Sequence, residues 1–514
     1  MAASETISYN PATGEELGRY PNHSVDDIPQ IIQSAREGFE KWRNVPIQER
    51  ARVLAHLVPL LDQNYDKIAE LISQEMGKPP FEAGAHEVLP AMDAVSYFVL
   101  EGPPALEPVK LDIGFFDLLH KQGYVRWDPL GVVAIISPWN YPFAIPFVEV
   151  VMALLAGNAV VLKAASATTG VAMEIKKLIE ELHQHGLPPE AFQIVIGSGG
   201  TVGKEIIRQN VDLICFTGSK EVGREILHLA AEHQTPTILE TSGKSPMIVL
   251  EDADLERATN AALWGCFMNA GQVCASIKRI YVIESIADEF KEKLLEKAKK
   301  LRIGRTSQEN DVDIGSMVNS LEAKKVDVVV QIAREEGNRI LIGGKFADVT
   351  PSDQKVFYEP TIIDQVSNQS TVVQTEIFGP VLTIIEVPNA EEAIKQANDS
   401  DFGLSAAIFT RDMDRAEKLA ESLQYGTIMI NNVGAIGHAM PAAPWGGFKQ
   451  SGMGRTHSIW GLKAMSAMKH VNVDNSEEDT EFFWFPYSSE QGDIIKYLRS
   501  FIQDKVEHLL KKDT

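Results

Sequence analysis

Three side chains in this sequence have the type and setting to do chemistry. Cys274 lies in FMNAGQVC, where Asn269, Gly271 and Gln272 break an apolar run. A turn there presents the thiol at the end of a helix or loop instead of packing it. A nucleophilic thiol needs access and a lowered pKa, and neighbouring amide dipoles help with the second. Free cysteines are more often small buried hydrophobes, and Cys215 and Cys266, both inside apolar runs, read that way. Glu240 ends the strand-like stretch TPTILE. Desolvation at an apolar strand end raises a carboxyl pKa, which suits a general base; a surface or cap role is the plainer reading. Asn140 sits in SPWNYP between two prolines. A rigidly held side-chain amide is a good oxyanion donor, because it does not reorganise as charge develops. A turn asparagine is the plainer alternative.

A second set of residues suits a nucleotide. Gly218 and Gly223 bracket a GSKEVG turn after VDLICFT. Glycines let backbone approach a pyrophosphate, and a following helix offers its amides. Lys163 follows the strand-like AVVL and is placed to hold a ribose hydroxyl or phosphate. Glu376, in TEIFGPV, is a candidate acceptor for sugar hydroxyls.

These residues need elements to position them. Apolar residues Ile31, Ile32, Ala35 and Phe39 fall at helical spacing, so residues 25–75 read as helices. From about 121, β-branched runs (GVVAIIS, NAVVLK, FQIVIG, VDLICFTG) alternate with helical stretches, which predicts a parallel sheet covered on both faces. Ligands gather beyond the carboxyl ends of such strands, and Asn140, Lys163 and Gly218 all fall there. A second α/β block begins near 245, with RIYVI, TIIEV and SAAIFT as strands. Past about 474 come an acidic stretch, the cluster FFWFPY, and Ile494, Leu498, Phe501, Ile502, Val506 and Leu509 at helical spacing.

Bulk properties narrow the function. At 514 residues the chain exceeds one ordinary core. A net charge of −23 disfavours nucleic acid and anionic membranes as partners. Three cysteines without a C-x-x-C pair exclude a disulfide framework or zinc knuckle, and no metal site is expected. The polar, acidic N-terminus and the lack of a long apolar run predict a cytoplasmic protein with no integral membrane association.

Taken in order, SPWNYP, NAVVLK, FTGSKEVG, LE-x-x-GK, N-x-G-Q-x-C, EIFGPV, FGLSAAIFTRD and PWGGFKQSGMGR resemble the aldehyde dehydrogenase superfamily over roughly residues 5 to 472. The resemblance implies an α/β fold: a Rossmann-type cofactor lobe (1–110 and 130–241), an α/β catalytic lobe (242–440) and a small bridging sheet (111–129 and 456–473), with an extension at 474–514. It implies a homodimer or homotetramer. It also implies oxidation of a small-molecule aldehyde to its acid with NAD or NADP, through a thiohemiacetal and thioester on Cys274. Asn140 and the Cys274 amide would form the oxyanion hole, and Glu240 would activate water. Lys163 and Glu376 would grip the two riboses, Gly218, Ser219 and Gly223 the pyrophosphate, and Trp139 and Phe378 would line the cofactor side.

Three departures from the family pattern carry expectations. Ser166 stands where NAD-preferring members carry a glutamate; a serine beside Lys163 can donate to a 2′-phosphate, so use of NADP is expected, with dual use as the alternative. Thr241 and Ser242 replace the usual Leu and Gly, so a stiffer turn beside Glu240 is expected. Val148 and Met268 stand where succinic semialdehyde dehydrogenases carry arginines. With Tyr141 they imply an apolar tunnel for an aliphatic or aromatic aldehyde. The unusual Glu149 beside Val148 either discourages anions or pairs with a local cation. Alternatives are a semialdehyde dehydrogenase, a CoA-acylating enzyme, which generally lacks the Glu240 base, and a catalytically silent structural protein of the same fold.

Overall fold

The computed structural model describes residues 5–306, 311–349, 354–434, 439–481, 483–487 and 489–510. The chain divides into two compact units: Met1–Pro103 with Pro129–Met465, and Pro104–Asp128 with Ser466–Thr514.

The first unit holds two parallel sheets. One has six strands in the order Gly452–Met453, Thr237–Glu240, Leu213–Thr217, Val132–Ile136, Ala159–Lys163, Phe192–Ile194. Five run parallel and only Gly452–Met453 is antiparallel. Val132–Ile136 is buried at every position, which is what a β-branched run covered on both faces requires. Strand order reverses between Val132–Ile136 and Leu213–Thr217, and the crevice beyond their carboxyl ends is where such sheets place a ligand. Helix Ile28–Trp42 buries Ile28, Ile32, Ala35, Phe39 and Trp42 on one face, and helices Ala144–Leu155 and Lys220–Ala231 pack on the same sheet.

The second sheet has seven strands: Arg339–Ile342, Thr361–Asp364, Val381–Val387, Ile277–Ile283, Ser245–Val249, Ser405–Phe409, Thr427–Ile430. Only the first is antiparallel. Its core draws on Ile280, Val282, Ile384, Ala407 and Phe290.

In the second unit, strands Ser466–Asp474, Lys121–Pro129 and Val109–Lys110 form a three-stranded sheet. Lys121 pairs there with Asp474 at 2.5 Å and also with Glu481. Helix Ser489–Leu510 buries Leu498 while Ile494, Ile502 and Val506 stay exposed. Among the described residues no helix is long and apolar enough to cross a membrane.

Candidate active site

A cavity of about 610 Å³ opens in the first unit. Its walls come from opposite ends of the two sheets. The six-stranded sheet contributes residues at and beyond the carboxyl ends of its strands: Ser137–Asn140, Lys163 with Ser166, Gly218 with Ser219, and Glu240–Ser242. The seven-stranded sheet contributes residues ahead of the amino ends of its strands: Cys274 before Ile277, Phe378 before Val381 and Leu404 before Ser405.

Asn140 is buried and its backbone is gripped from beneath. Its carbonyl accepts from Lys78 Nζ at 2.8 Å and from Asn269 Nδ2 at 3.0 Å, while its own Nδ2 donates to the Gln272 carbonyl at 3.1 Å. Lys78 is wholly buried, pairs with Glu87 at 2.7 Å, and lies 4.4 Å from the centre of the Tyr141 ring. The second Glu87 oxygen accepts from the amides of Phe143 and Ala144 at the start of helix Ala144–Leu155, where the dipole favours a negative charge. One ion pair thus anchors both the loop that carries Asn140 and the helix after it. Removing one partner of such a pair leaves the other charge uncompensated. Lys78→Met is therefore expected to destabilise the fold by about 3–5 kcal/mol, read as a lowered urea midpoint.

Cys274 sits at the end of a strained loop. Helix Leu255–Phe267 ends in a short turn, Met268–Gly271, in which Asn269 (φ 50°), Ala270 (φ 52°) and Gly271 (φ 73°) are left-handed. That costs a non-glycine residue roughly 1–2 kcal/mol, so the surroundings must hold it. Glu82 accepts from the Asn269 amide at 2.9 Å, and Gln272 Oε1 accepts from the Val318 amide at 2.9 Å. A Cβ on Gly271 would lie 2.2 Å from the Gly379 carbonyl oxygen, so only glycine fits. Of the three thiols Cys274 alone is partly exposed; Cys215 and Cys266 are buried. Burial pushes the Cys274 thiol up to about 12, Glu240 adds to this, and the amides of Ala275 and Cys274 act against it. At rest this is a protonated thiol with backbone donors aimed at it.

Glu240 ends its strand, buried, and neither carboxyl oxygen has a hydrogen-bond partner among the described residues. Burial first, then Glu149, raises it well above the usual carboxyl range, against the pull of Arg455. The turn beside it is tied to a distant segment: Thr241 Oγ1 donates to the Gln450 carbonyl at 2.6 Å, the Thr241 amide to Ser451, and Ser451 Oγ to the Ser242 carbonyl at 2.7 Å.

Away from the thiol the cavity takes on the character of a nucleotide site. Desolvation lowers Lys163 to about 8, and a Cβ on Gly199 would lie 3.6 Å from its Nζ. Ser166 Oγ donates to the Gly197 carbonyl at 3.3 Å. The Gly218 amide donates to the Glu240 carbonyl at 3.0 Å, and a Cβ there would meet the Phe216 ring at 2.5 Å. Ser219 caps helix Lys220–Ala231 by accepting from the Val222 amide at 3.4 Å. Trp139 and Phe378 meet edge to face at 5.4 Å. Glu376 is raised by burial and bonded by Ser242. A buried cation, a glycine-lined approach and a helix N-terminus fit a dinucleotide's phosphates and sugars.

Thirteen of the residues singled out in the sequence share this cavity wall: Cys274, Glu240, Asn140, Trp139, Lys163, Ser166, Gly218, Ser219, Glu376 and Phe378, with Thr241, Ser242 and Glu149. Gly223 lies behind it, where an added Cβ would be 3.1 Å from Thr241 Cγ2. Tyr141 and Met268 pack around Cys274 in an apolar cluster with Ile145, Val273, Leu404 and Trp445. Val148 belongs to neither group; it is buried elsewhere on helix Ala144–Leu155. Sequence reasoning missed Lys78, Glu82 and Glu87, because nothing local marks residues whose partners lie far along the chain.

The chain matches the model of the aldehyde dehydrogenase family over residues 2–471. It is 37% identical over 494 residues to a 4,4'-diapolycopene aldehyde oxidase of a Methylomonas species, covering 96% of this chain and 90% of that protein. Among solved structures, an NADP-dependent enzyme of E. coli superposes with a TM-score of 0.85 at 33% identity, covering 91% of this chain and 95% of that one. The NAD+ complex of an aldehyde dehydrogenase from Bacillus cereus gives 0.86 at 30% identity, covering 92% and 94%.

Proposed function

Because this chain belongs to the aldehyde dehydrogenase family, we propose that it oxidises an apolar aldehyde to its carboxylic acid by covalent catalysis at Cys274, with hydrolysis driven by Glu240. The observation that supports this most is the convergence of Cys274, Glu240 and Asn140 on one cavity that Lys163 and Glu376 also line.

Once the Cys274 thiol has lost its proton to water, Sγ attacks the aldehyde carbon and the C=O π electrons move to oxygen, giving a thiohemiacetal whose oxygen carries the charge. Asn140 uses one N–H on Gln272 and keeps its second for that oxygen, alongside the Cys274 amide. When bound, the nicotinamide dinucleotide supplies the acceptor for the hydride lost in forming the thioester. Lys163 and Glu376 would hold its riboses, and the Gly218–Gly223 turn its pyrophosphate. Glu240 then takes a proton from water as the water oxygen attacks the thioester carbon. The C–S bond breaks, the acid leaves, and the thiolate is reprotonated.

Substrate class is argued from the wall around the thiol. Tyr141, Ile145, Met268, Leu404 and Trp445 offer apolar surface, and among the described residues that line the cavity there is no arginine to pair bidentately with a carboxylate. The relative named a diapolycopene aldehyde oxidase supports the same direction. Cofactor choice rests on Ser166, a hydroxyl beside a buried lysine, which accommodates a 2′-phosphate better than a carboxylate would.

The test is reduced-nicotinamide formation with aliphatic, aromatic and ω-carboxy aldehydes, each with NAD and with NADP. Apolar aldehydes should exceed ω-carboxy ones of equal length by about tenfold or more in kcat/KM, one unpaired carboxylate being worth at least that, and NADP should support turnover. Preference for ω-carboxy aldehydes would overturn the substrate reading; turnover with NAD alone would overturn the Ser166 reading.

A further inference from the structure

Helix Ala144–Leu155 reads AIPFVEVVMALL, buried throughout, and its single charge-bearing side chain is Glu149. Glu149 is 2% exposed and lines the same cavity as Glu240. Among the described residues its Oε2 has no hydrogen-bond partner, and no cation offsets its burial. Its hydrogen bond is with the side chain of Thr217. Thr217 ends strand Leu213–Thr217, and in the parallel register its partner on the next strand is Glu240. Paired residues of neighbouring strands face the same side of a sheet. Glu149 therefore reaches, from the covering helix, the residue lying beside the base.

We propose that Glu149 is a positioning residue for the hydrolytic half-reaction, a second carboxyl in the Glu240 pocket whose charge opposes ionisation of the base. This rests on the reading of Glu240 as the hydrolytic base. Two carboxyl groups in one dry pocket cannot both ionise freely, because each charge opposes the other. They lose their protons as a pair, in two steps that belong to neither alone. While Glu149 carries the charge, Glu240 holds its proton and cannot accept one from water. While Glu149 carries the proton, Glu240 is ionised and ready. Glu149 thus sets the fraction of enzyme able to hydrolyse the thioester at a given pH.

The surrounding charges leave this pair largely to itself. Cys215 faces both carboxyls from strand Leu213–Thr217, and Cys274 faces Glu240 from its loop. Among the described residues Arg455 is the one cation acting on Glu240. Lys163, Glu376 and His457 stand elsewhere in the wall. Of the elements packed on the helix, one brings Arg50 against the Leu155 carbonyl at its far end. Another brings Glu87, already paired with Lys78, and His86 at its start. A third carries Lys463, which lies over the Trp460 ring. Burial raises Glu149 to about 8 and lifts Glu240 well above the usual carboxyl range, so each favours its protonated form and a charge on Glu149 opposes one on Glu240.

The experiment separates the two half-reactions. Rapid mixing with excess aldehyde and cofactor reads thioester formation as a burst of reduced nicotinamide, and the steady rate after it reads hydrolysis, across a pH range of about 5.5–10. In Glu149→Gln the burst should persist. The acidic limb of the hydrolysis rate should move about one pH unit lower, the size of effect a neighbouring like charge produces. Thr217→Val should give a smaller shift in the same direction, since losing the hydroxyl keeps the proton on Glu149. A burst with an unmoved acidic limb in both variants overturns the pair, as does a uniform loss of rate without a shift. A Glu240→Gln enzyme that keeps the steady rate of the unaltered one overturns the reading of Glu240 as the base instead, so the two failures are distinguishable.

Discussion

Cys274→Ala should lower aldehyde oxidation by on the order of 10⁴-fold or more while cofactor binding survives. Losing the nucleophile removes the covalent route altogether, and what remains is binding and oxyanion stabilisation of an uncatalysed hydration. The measurement pairs turnover with quenching of protein fluorescence by the dinucleotide. Cofactor binding intact and turnover gone would support the role; turnover within tenfold of the unaltered enzyme would end it. The resting thiol adds a pH signature. Because burial and Glu240 hold Cys274 up near 12, the thiolate fraction grows as pH rises through the neutral range. The burst rate should climb with it.

Glu240→Gln is expected to divide the reaction at its midpoint. The amide has the size of the carboxylate but cannot take a proton from water, so the thioester should form and then persist. One equivalent of reduced nicotinamide per Cys274 should appear, followed by a steady rate lowered by about 10³-fold, within the range general-base catalysis supplies. Intact mass spectrometry of the stalled enzyme should show the acyl adduct. Equal loss of burst and steady rate would place Glu240 in acylation instead. Addition of CoA restoring turnover would point to the acylating branch of the chemistry.

Much of this is legible in particular residues. The run Val132–Ile136 can only be a doubly covered strand, and Ser219 before KEVG is a readable helix cap. Asn269, Gly271 and Gln272 announce a turn before Cys274, although not that Asn269 and Ala270 are left-handed with Glu82 holding them. Carboxyl strand ends locate the cofactor wall, yet the second sheet contributes its amino ends, a relation visible only once the sheets face each other across the cavity. Lys78 and Glu87 are illegible for a plain reason. Their stretch, EMGKPPFEAGAHEV, looks like a polar helix end, and their importance comes from Asn140, 62 residues beyond Lys78. Val148 resembles a lining residue because its neighbours line the cavity, but a helix turns each residue by a fixed angle, and this one points elsewhere.

The antiparallel pairing of Gly452–Met453 with Leu239–Glu240 bears on how the protein is made. Translation delivers the strand ending in Glu240 about two hundred residues before the segment that covers its edge. During that interval the strand presents unpaired N–H and C=O groups, the kind of edge that recruits other chains. The tie from Gln450 and Ser451 to Thr241 and Ser242 is missing for as long. A ribosome paused late in that interval would hold a nascent chain with its nucleophile already synthesised and its hydrolytic base not yet fastened. The base is fastened only once the segment Gly452–Met453 has been made.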